Sequence, residues 1–555
     1  MARVCTSSLS STTTMSTPAP KRVCIVGAGA SGMSAAYALS RHPERYQVTV
    51  FDKQDVAGGM ATSIDIDADK YGAAYINDGV QGCSPVFANT LRIFRMLGFE
   101  ATEVGMQISF GKDKDFWTNV YPTSLVAQFQ GDIKKFGTAL SIIKKFEPVF
   151  AMIPVHTMLK MFGFSKDFGD KMVYPWSRSS SGRATKRRIF HLRSSNGCSK
   201  ILACASSNTQ RRVCWQYPDY AGVPQAARCL PSLEGEAASR GNVTFRLGHE
   251  VVEVMSRHEK GGAAASGPVH IKLKTSIDGQ ESFEEEFFDE LILAIDADSC
   301  LKLLGKQSTW MERKVLGNVK YLYDVTITHN DWIICGSSAQ ERQETEESFK
   351  FARDNFRPLY YTMQYPQDKA KIEMSFDLTH YQPQFRGEKP AGPIDPEDRS
   401  NHRNECERAE VTREAQDSSK GEAGAEARTG KDADERPEPP LEQHVFQTIF
   451  LDRDGSQDLW TWKDINPEKK IYEKWWKQQS HRWQHYAGTV PWMMWINGKN
   501  HTHFAGAWSV LNMHELAVTS GFAAAYRLGA EYPFHGDEDC ERLFRMYLAA
   551  ATVYA

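Results

Sequence analysis

The chain has 555 residues, 41% hydrophobic and 24% charged, with a formal net charge of −3. That length suffices for two or more domains with sizeable cores, and the near-neutral balance gives no sign of a nucleic-acid partner or an acidic substrate. The 11 cysteines include no Cys-x-x-Cys pair, which suits free thiols in a reducing compartment and argues against a structural zinc or other metal.

Residues 1–20 are Ser/Thr-rich, acid-free and carry Arg3, which reads either as a short organelle transit peptide or as a disordered tail. They lack the apolar core of a secretory signal, so a cytoplasmic or organellar protein is expected, not a secreted one. No apolar run anywhere reaches the roughly 18 residues of a membrane-spanning helix.

Residues 22–88 carry the strongest signal. Val23 to Val26 is a short apolar run of the kind that forms a parallel strand buried on both faces. Gly27-Ala-Gly-Ala-Ser-Gly32 follows, and Met33 to Leu39 reads as a helix of small residues. In this spacing Gly27 makes the tight turn, Gly29 lets backbone approach a pyrophosphate, and Gly32 lets helix and strand pack closely. Ala30 and Ser31 start the helix, whose free N–H groups and positive dipole end suit phosphates. A second strand, Gln47 to Phe51, ends in Asp52 and Lys53, where a carboxylate can accept hydrogen bonds from ribose hydroxyls. In Ala57-Gly-Gly-Met-Ala-Thr62, the residues Gly58, Gly59, Met60 and Ala61 can bring more backbone N–H groups to the same phosphates, and Asn77-Asp-Gly-Val-Gln81 reads as a turn entering a strand.

From residue 89 the pattern becomes helical: 89–98 ends in a glycine stop, Met106 to Phe110 alternates like a strand, and Thr123 to Gly163 is helical, apolar and interleaved with lysines, with Pro148 and Pro154 breaking it. Residues 89–175 are therefore expected to form a helical cap. Its apolar load either shapes a substrate channel that also touches a membrane surface or is the core of a helical domain, the more general outcome for apolar stripes. No acid occurs from Lys171 to Pro218, and within 176–235 Ser and Arg crowd together. A basic loop for nucleic acid or anionic lipid, a disordered insertion and a reading-frame error compete here. The last is preferred, because the helical pattern stops at Tyr174-Pro175 and order is expected again only near Asn242.

In 241–310, a strand–turn–strand from Asn242 to Val254 precedes a hairpin of Val269–Lys274 and Phe283–Phe288 around Asp278-Gly279, then Asp289 to Ile295 as a strand and Asp296 to Leu304 as a capped helix. In 311–383, Tyr321–Thr328, Leu359–Tyr365 and Lys371–Phe376 read as strands. Residues 384–441 are charged and Gly/Pro-rich, as a disordered surface insertion would be. In 442–496 Trp460, Trp462, Trp475, Trp476, Trp483, Trp492 and Trp495 crowd together with His481 and His485; each fills a core or lines a pocket. Residues 497–534 hold the last motifs, and 535–555 a C-terminal helix.

Those last motifs are His503-Phe-Ala-Gly-Ala-Trp508, Met513-His-Glu-Leu-Ala-Val-Thr-Ser-Gly521 and Phe522-Ala-Ala-Ala-Tyr-Arg-Leu-Gly529. With the early glycine turn they resemble the FAD-binding amine-oxidase and phytoene desaturase-like superfamily, over roughly residues 22–110, 241–305 and 440–534. Similarity is closest to a branch related to flavin-dependent fatty-acid isomerases.

The resemblance implies an α/β fold: a discontinuous FAD-binding Rossmann-like domain of the glutathione-reductase type, with a substrate domain of antiparallel sheet plus helical cap. It implies FAD as cofactor, with Val251 meeting the adenine, Asp78, Gly79 and Val80 running past the isoalloxazine, and Gly506, Ala507, Met513, His514 and Glu515 closing on the ring. His514 is the candidate catalytic residue, as proton donor or acceptor, or else only a hydrogen-bonding group. No position here matches the lysine that amine oxidases hold near flavin N5.

The expected activity is hydride transfer between flavin and an apolar or lipid-like small molecule. A redox-neutral isomerase of polyunsaturated acyl chains and a non-catalytic nucleotide-binding protein are the alternatives.

Overall fold

The computed structural model describes residues 19–175 (apart from 85, 100, 105–106, 112–114, 122, 147–149, 151–152 and 154), 220–222, 226–257, 267–277, 280–332, 356, 358–386, 439–480 and 482–551. The expectations for the N-terminal tail, for most of the Ser/Arg-rich window and for most of 384–441 therefore lie outside the described residues.

Strand β1 (Lys21–Val26) is fully buried from Val23 to Ile25, and helix α1 (Ala30–Ser40) starts directly at the glycine turn, with Gly29 as its N-cap. Every residue from Ser31 to Ser40 is buried, which alanine and serine make possible by occupying little volume between layers. Strand β2 (Tyr46–Asp52) runs parallel to β1, Val23 opposite Val48. Asp78 to Gln81 form the turn expected there and enter the strand pair Gly82–Cys83, while Asn77 itself ends the short strand Tyr75–Asn77. Helix α2 (Ala88–Met96) stops before Gly98, which sits at φ +81°.

Strands β3 (Ile108–Phe110) and β4 (Trp117–Thr118) lead into the cap. Thr123 caps helix α3 (Ser124–Gln128) by accepting from the Val126 N–H. In helix α4 (Gln130–Lys145) Ile133, Phe136, Ala139, Leu140 and Ile143 recur at helical spacing. They bury one face against Met158 and Leu159 of helix α5 (Val155–Met161) and against Phe164 and Phe168. The apolar load is thus mainly a core; Ile142, Phe146 and Met161 remain exposed.

Regular structure resumes earlier than expected, inside the window read as anomalous. Tyr220–Gly222 is a strand and helix α6 (Ala226–Ala238) follows, its Leu233 and Ala237 buried. Pro231 inside α6 disguised the helix in the sequence. Strand β5 (Val243–Leu247) joins β2 in parallel. Strands β6 (His249–Arg257), β7 (Val269–Ile277) and β8 (Gln280–Phe288) form an antiparallel three-stranded sheet, as the hairpin pattern predicts. Strand β9 (Glu290–Leu293) returns beside β1. In helix α7 (Ala297–Leu304) the N-cap Asp296 makes no cap bond: its carboxylate pairs with Lys477 at 3.1 Å, and the Ala297 N–H donates to the Tyr321 hydroxyl instead.

Helix α8 (Trp310–Leu316) opens on a Thr309–Glu312 capping box. Beyond it lie β10 (Tyr321–His329), β11 (Tyr360–Tyr365), β12 (Asp368–Asp377), β13 (Phe446–Phe450) and β14 (Lys470–Gln479). Among the described residues they assemble with β3 and β4 into a seven-stranded sheet of order β14-β10-β13-β12-β11-β3-β4, antiparallel except where β11 meets β3. Strands β13 and β14 are not foreseen in the sequence reading, which saw only an aromatic block there.

Finally β15 (Thr502–Phe504) completes a five-stranded parallel sheet, β5-β2-β1-β9-β15. Helices α9 (His514–Arg527) and α10 (Glu538–Ala551) follow.

Helix α9 packs directly on α1. A Cβ on Gly521 would lie 2.1 Å from the Ser31 carbonyl oxygen and 3.0 Å from the Ala35 nitrogen, and Ala523, Ala524 and Ala525 are wholly buried. The ends of the chain meet on two helices too close for anything larger. Gly521→Val should therefore destabilise by about 1–3 kcal/mol, or more where backbone must move, and lower the melting temperature in a thermal scan; an unchanged midpoint would refute the contact.

Candidate functional site

A cavity of about 1540 Å³ runs from the glycine turn to the start of α9. Its floor at one end is backbone. Gly27 lies at φ +105°, and a Cβ there would meet the Ala294 oxygen at 2.6 Å. Gly32 does not line the cavity; a Cβ on it would strike the Gly27 oxygen at 1.8 Å, so its task is packing, as the spacing predicts. The second glycine pair lies against the first. Gly58 bridges Gly29, the Gly58 N–H donates to the Ala28 oxygen at 3.0 Å, and Gly59 (φ +61°) would bring a Cβ within 3.0 Å of the Gly29 Cα.

Asp52 braces this floor: its Oδ2 accepts from the Ala28 N–H at 2.7 Å and its Oδ1 from the Gln54 N–H at 2.9 Å. Gly29, Ala30, Ser31, Lys53, Met60, Ala61 and, across the sheet, Val251 line the same end.

At the far end Asp78, Gly79, Val80, Gly506, Ala507, Met513 and His514 line the cavity. Gly79 has no room for a side chain, since a Cβ would lie 1.9 Å from the Met60 oxygen. Gly506 sits at φ +152°, and its N–H donates to the Ser520 hydroxyl. His514 begins α9, with Nδ1 3.2 Å from the Thr90 hydroxyl. Burial lowers its pKa to about 4, so the imidazole is neutral near pH 7.

Glu515 departs from expectation. Its carboxylate does not line the cavity but turns to the start of α2, accepting from the Asn89 N–H and side-chain amide and from the Thr90 N–H at 3.1, 2.7 and 2.8 Å. It ties α9 to α2. Burial raises its pKa, and these donors oppose the rise.

The charged centre of the far end escaped the sequence reading. Asp78, 3% exposed, pairs with the Lys474 ammonium at 3.1 Å and accepts from the Gln447 amide at 2.8 Å. Lys474 also donates to the Thr62 hydroxyl at 2.7 Å and sits 4.2 Å from the Trp476 ring centroid. Burial raises the Asp78 pKa against the pull of Lys474 and Gln447. So an ammonium does stand in the cavity, although no motif marked its position. The signal was the alternation of Tyr472, Lys474, Trp476 and Gln478 along β14, hidden by the run of tryptophans. Among the described residues of that block Trp476 lines the cavity, whereas Trp460 and Trp462 pack in the core behind the sheet and Trp475 and Trp495 are exposed.

Towards the cap the walls are Val155, Tyr174, Tyr360, Phe376, Ile449 and Leu451, with His156, Asp170 and Lys369 at the same end.

Residues 25–94 match the NAD(P)-binding Rossmann-like domain. The chain superposes on a fatty acid isomerase from P. acnes described as CLA-producing (TM-score 0.53, 12% identity, 92% of this chain and 99% of that one). It superposes also on cyclohexylamine oxidase from Brevibacterium oxydans IH-35A (0.52, 12%, 92% and 99%) and on an oxidoreductase from Methanosarcina mazei (0.50, 10%, 91% and 100%). The chain shares their fold. No curated protein matches it by sequence.

Within this shared fold, His514 and His503 titrate well below an ordinary imidazole, at about 4 and about 3, both chiefly through burial. In the unfolded chain each titrates near 6.5. Their contribution to stability is therefore whole above about pH 6.5 and is lost as the pH falls towards 4, by up to about 1.4 kcal/mol per pH unit per group. Urea unfolding at pH 7.5 and 5.0 should show this loss, and His514→Gln should make the dependence shallower.

Proposed function

We propose that the chain is an FAD-dependent oxidoreductase acting on an apolar or lipid-like small molecule. The observation that carries this reading is the single cavity joining the paired glycine turns to the N-terminus of α9. At about 1540 Å³ it exceeds the roughly 300–1,000 Å³ usual for one small ligand and leaves room for a dinucleotide together with a substrate.

The residues present fit FAD. Gly29 faces open space, its would-be Cβ reaching only the Gly59 Cα at 3.8 Å, so a diphosphate can approach the backbone N–H groups of Gly29, Ala30 and Ser31. Asp52 keeps lone pairs for ribose hydroxyls beyond its two backbone bonds. Val251 is placed for the adenine, Gly79 and Val80 for the flank of the ring, and the first turn of α9, through His514 and the Glu515 N–H, for negative charge on it. Bound there, FAD would supply the hydride-accepting centre.

The chain's own groups do the rest. Val155, Tyr360, Phe376, Ile449 and Leu451 exclude water and hold apolar surface. The Asp78–Lys474 pair places a proton-bearing ammonium at the inner end, held there by the carboxylate. Isomerisation of a polyunsaturated acyl chain is the second reading, favoured by the same apolar walls and by the fatty acid isomerase among the proteins of this fold.

Purified protein should be yellow with a flavin spectrum. Protein that stays colourless after incubation with FAD would sink both readings in favour of a non-catalytic role. Gly29→Val should abolish flavin binding with the fold retained by circular dichroism. On anaerobic mixing with unsaturated fatty acids, lasting bleaching indicates oxidation, whereas a conjugated-diene signal with unchanged flavin indicates isomerisation. Lys474→Met should keep the flavin and lower turnover by about 10²-fold or more.

A further inference from the structure

We propose that the surface formed by α8 and the turn after Thr489 docks the protein on an anionic lipid bilayer. The inference does not depend on what the cavity binds.

Trp310 opens α8 and is 63% exposed, and Trp495, at the end of the 3₁₀ segment Val490–Trp495, is 57% exposed. One exposed ring needs no explanation, whereas a group of rings around a cation does. The two belong to one patch. Lys314, one turn from Trp310 on α8, places its ammonium 5.0 Å from the Trp310 ring centroid and 5.2 Å from that of Trp492. Trp492 and Trp495 lie three residues apart in a 3₁₀ segment, whose i and i+3 side chains eclipse. Two tryptophans therefore flank one lysine, with Trp495 one 3₁₀ turn along from the second.

The two segments that carry these rings present no outward acid. Residues 299–311 contain no Asp or Glu, and neither do residues 474–514. Glu312, the acid of α8 itself, is 1% exposed and held by Arg257 in a two-pronged pair, each N–O distance 2.9 Å, so it offers nothing outward. Lys306, shortly before α8, and Lys499, shortly after the 3₁₀ segment, are exposed as well.

Tryptophan rings with cations between them suit the headgroup region of a bilayer, where the indole sits in the apolar boundary with its N–H in water. Lysine lays its stem along apolar surface with the ammonium towards lipid phosphate, and anionic lipid draws such clusters electrostatically. No helix of the described residues is long and apolar enough to cross a membrane, so the contact is peripheral. It lies on α8 and the 3₁₀ turn, apart from the cap for which the sequence reading gave membrane contact as one of two alternatives.

The test is co-sedimentation of the full-length protein with vesicles of phosphatidylcholine alone and of phosphatidylcholine with phosphatidylserine, read together with tryptophan emission. Expected are several-fold greater binding to the anionic vesicles, a blue-shifted emission, and weakening by added salt. Trp310→Ser with Trp495→Ser should cut binding at least fivefold and Lys314→Glu should also weaken it, each with unchanged thermal melting and flavin content. Lack of binding to anionic vesicles would overturn the proposal. So would full binding by the double variant, or a patch whose variants convert an oligomer to a monomer while vesicle binding persists.

Discussion

The contact between α1 and α9 is the constraint on which the rest depends. One helix comes from the first forty residues and the other from the last fifty, and Gly521 lets them touch backbone to backbone at Ser31. Both helices are built from alanine, serine and glycine where they meet, so their separation is set by main chain and not by side-chain packing. That separation aligns the glycine turn before α1 with the first turn of α9, and the cavity between these two helix starts follows from it. Glu515 fixes α9 a second time, to α2, through three donors from Asn89 and Thr90. A carboxylate that could have served the cavity is spent on holding its wall.

The substrate half is organised differently. The seven-stranded sheet turns one face to a core of Val325, Ile327, Phe450 and Trp460 and the other to the cavity. Alternation along β14 therefore decides function residue by residue: Lys474 and Trp476 face the cavity, whereas Trp475 between them does not. The Asp78–Lys474 pair bridges the nucleotide-binding part and this sheet, as does the Asp296–Lys477 pair three residues further along β14. Two ion pairs from one strand thus set how the sheet sits above the cavity floor.

Much of this was legible from sequence, for identifiable reasons. Glycines at 27, 29, 32, 58, 59, 79 and 521 are positions where a Cβ has no room, or where a ligand needs the space, and such constraints leave local marks. The strand β1 and the hairpin of β7 and β8 were readable from hydrophobic runs and alternation. What stayed hidden depends on distance in the chain. Strand β14 is buried in an aromatic run that reads as core, α6 carries Pro231, and the partners of Asp78 lie 369 and 396 residues away at Gln447 and Lys474. The turn of Glu515 towards α2 was unreadable for the same reason: no local pattern says which of two nearby surfaces a carboxylate will choose.

The sheet edge at β15 has a consequence for synthesis. Only three residues, Thr502 to Phe504, seal β9, and α9 follows them. On the ribosome the nucleotide-binding fold therefore waits unfinished while more than 450 residues emerge after β2. For that interval the apolar side of α1 and the strand rim of β9 stand uncovered, a situation that invites chaperone capture. A release factor acting a few codons before Gly506 would leave a long polypeptide, nearly complete by mass, without the Gly506, Ala507, Met513 and His514 that close the chamber.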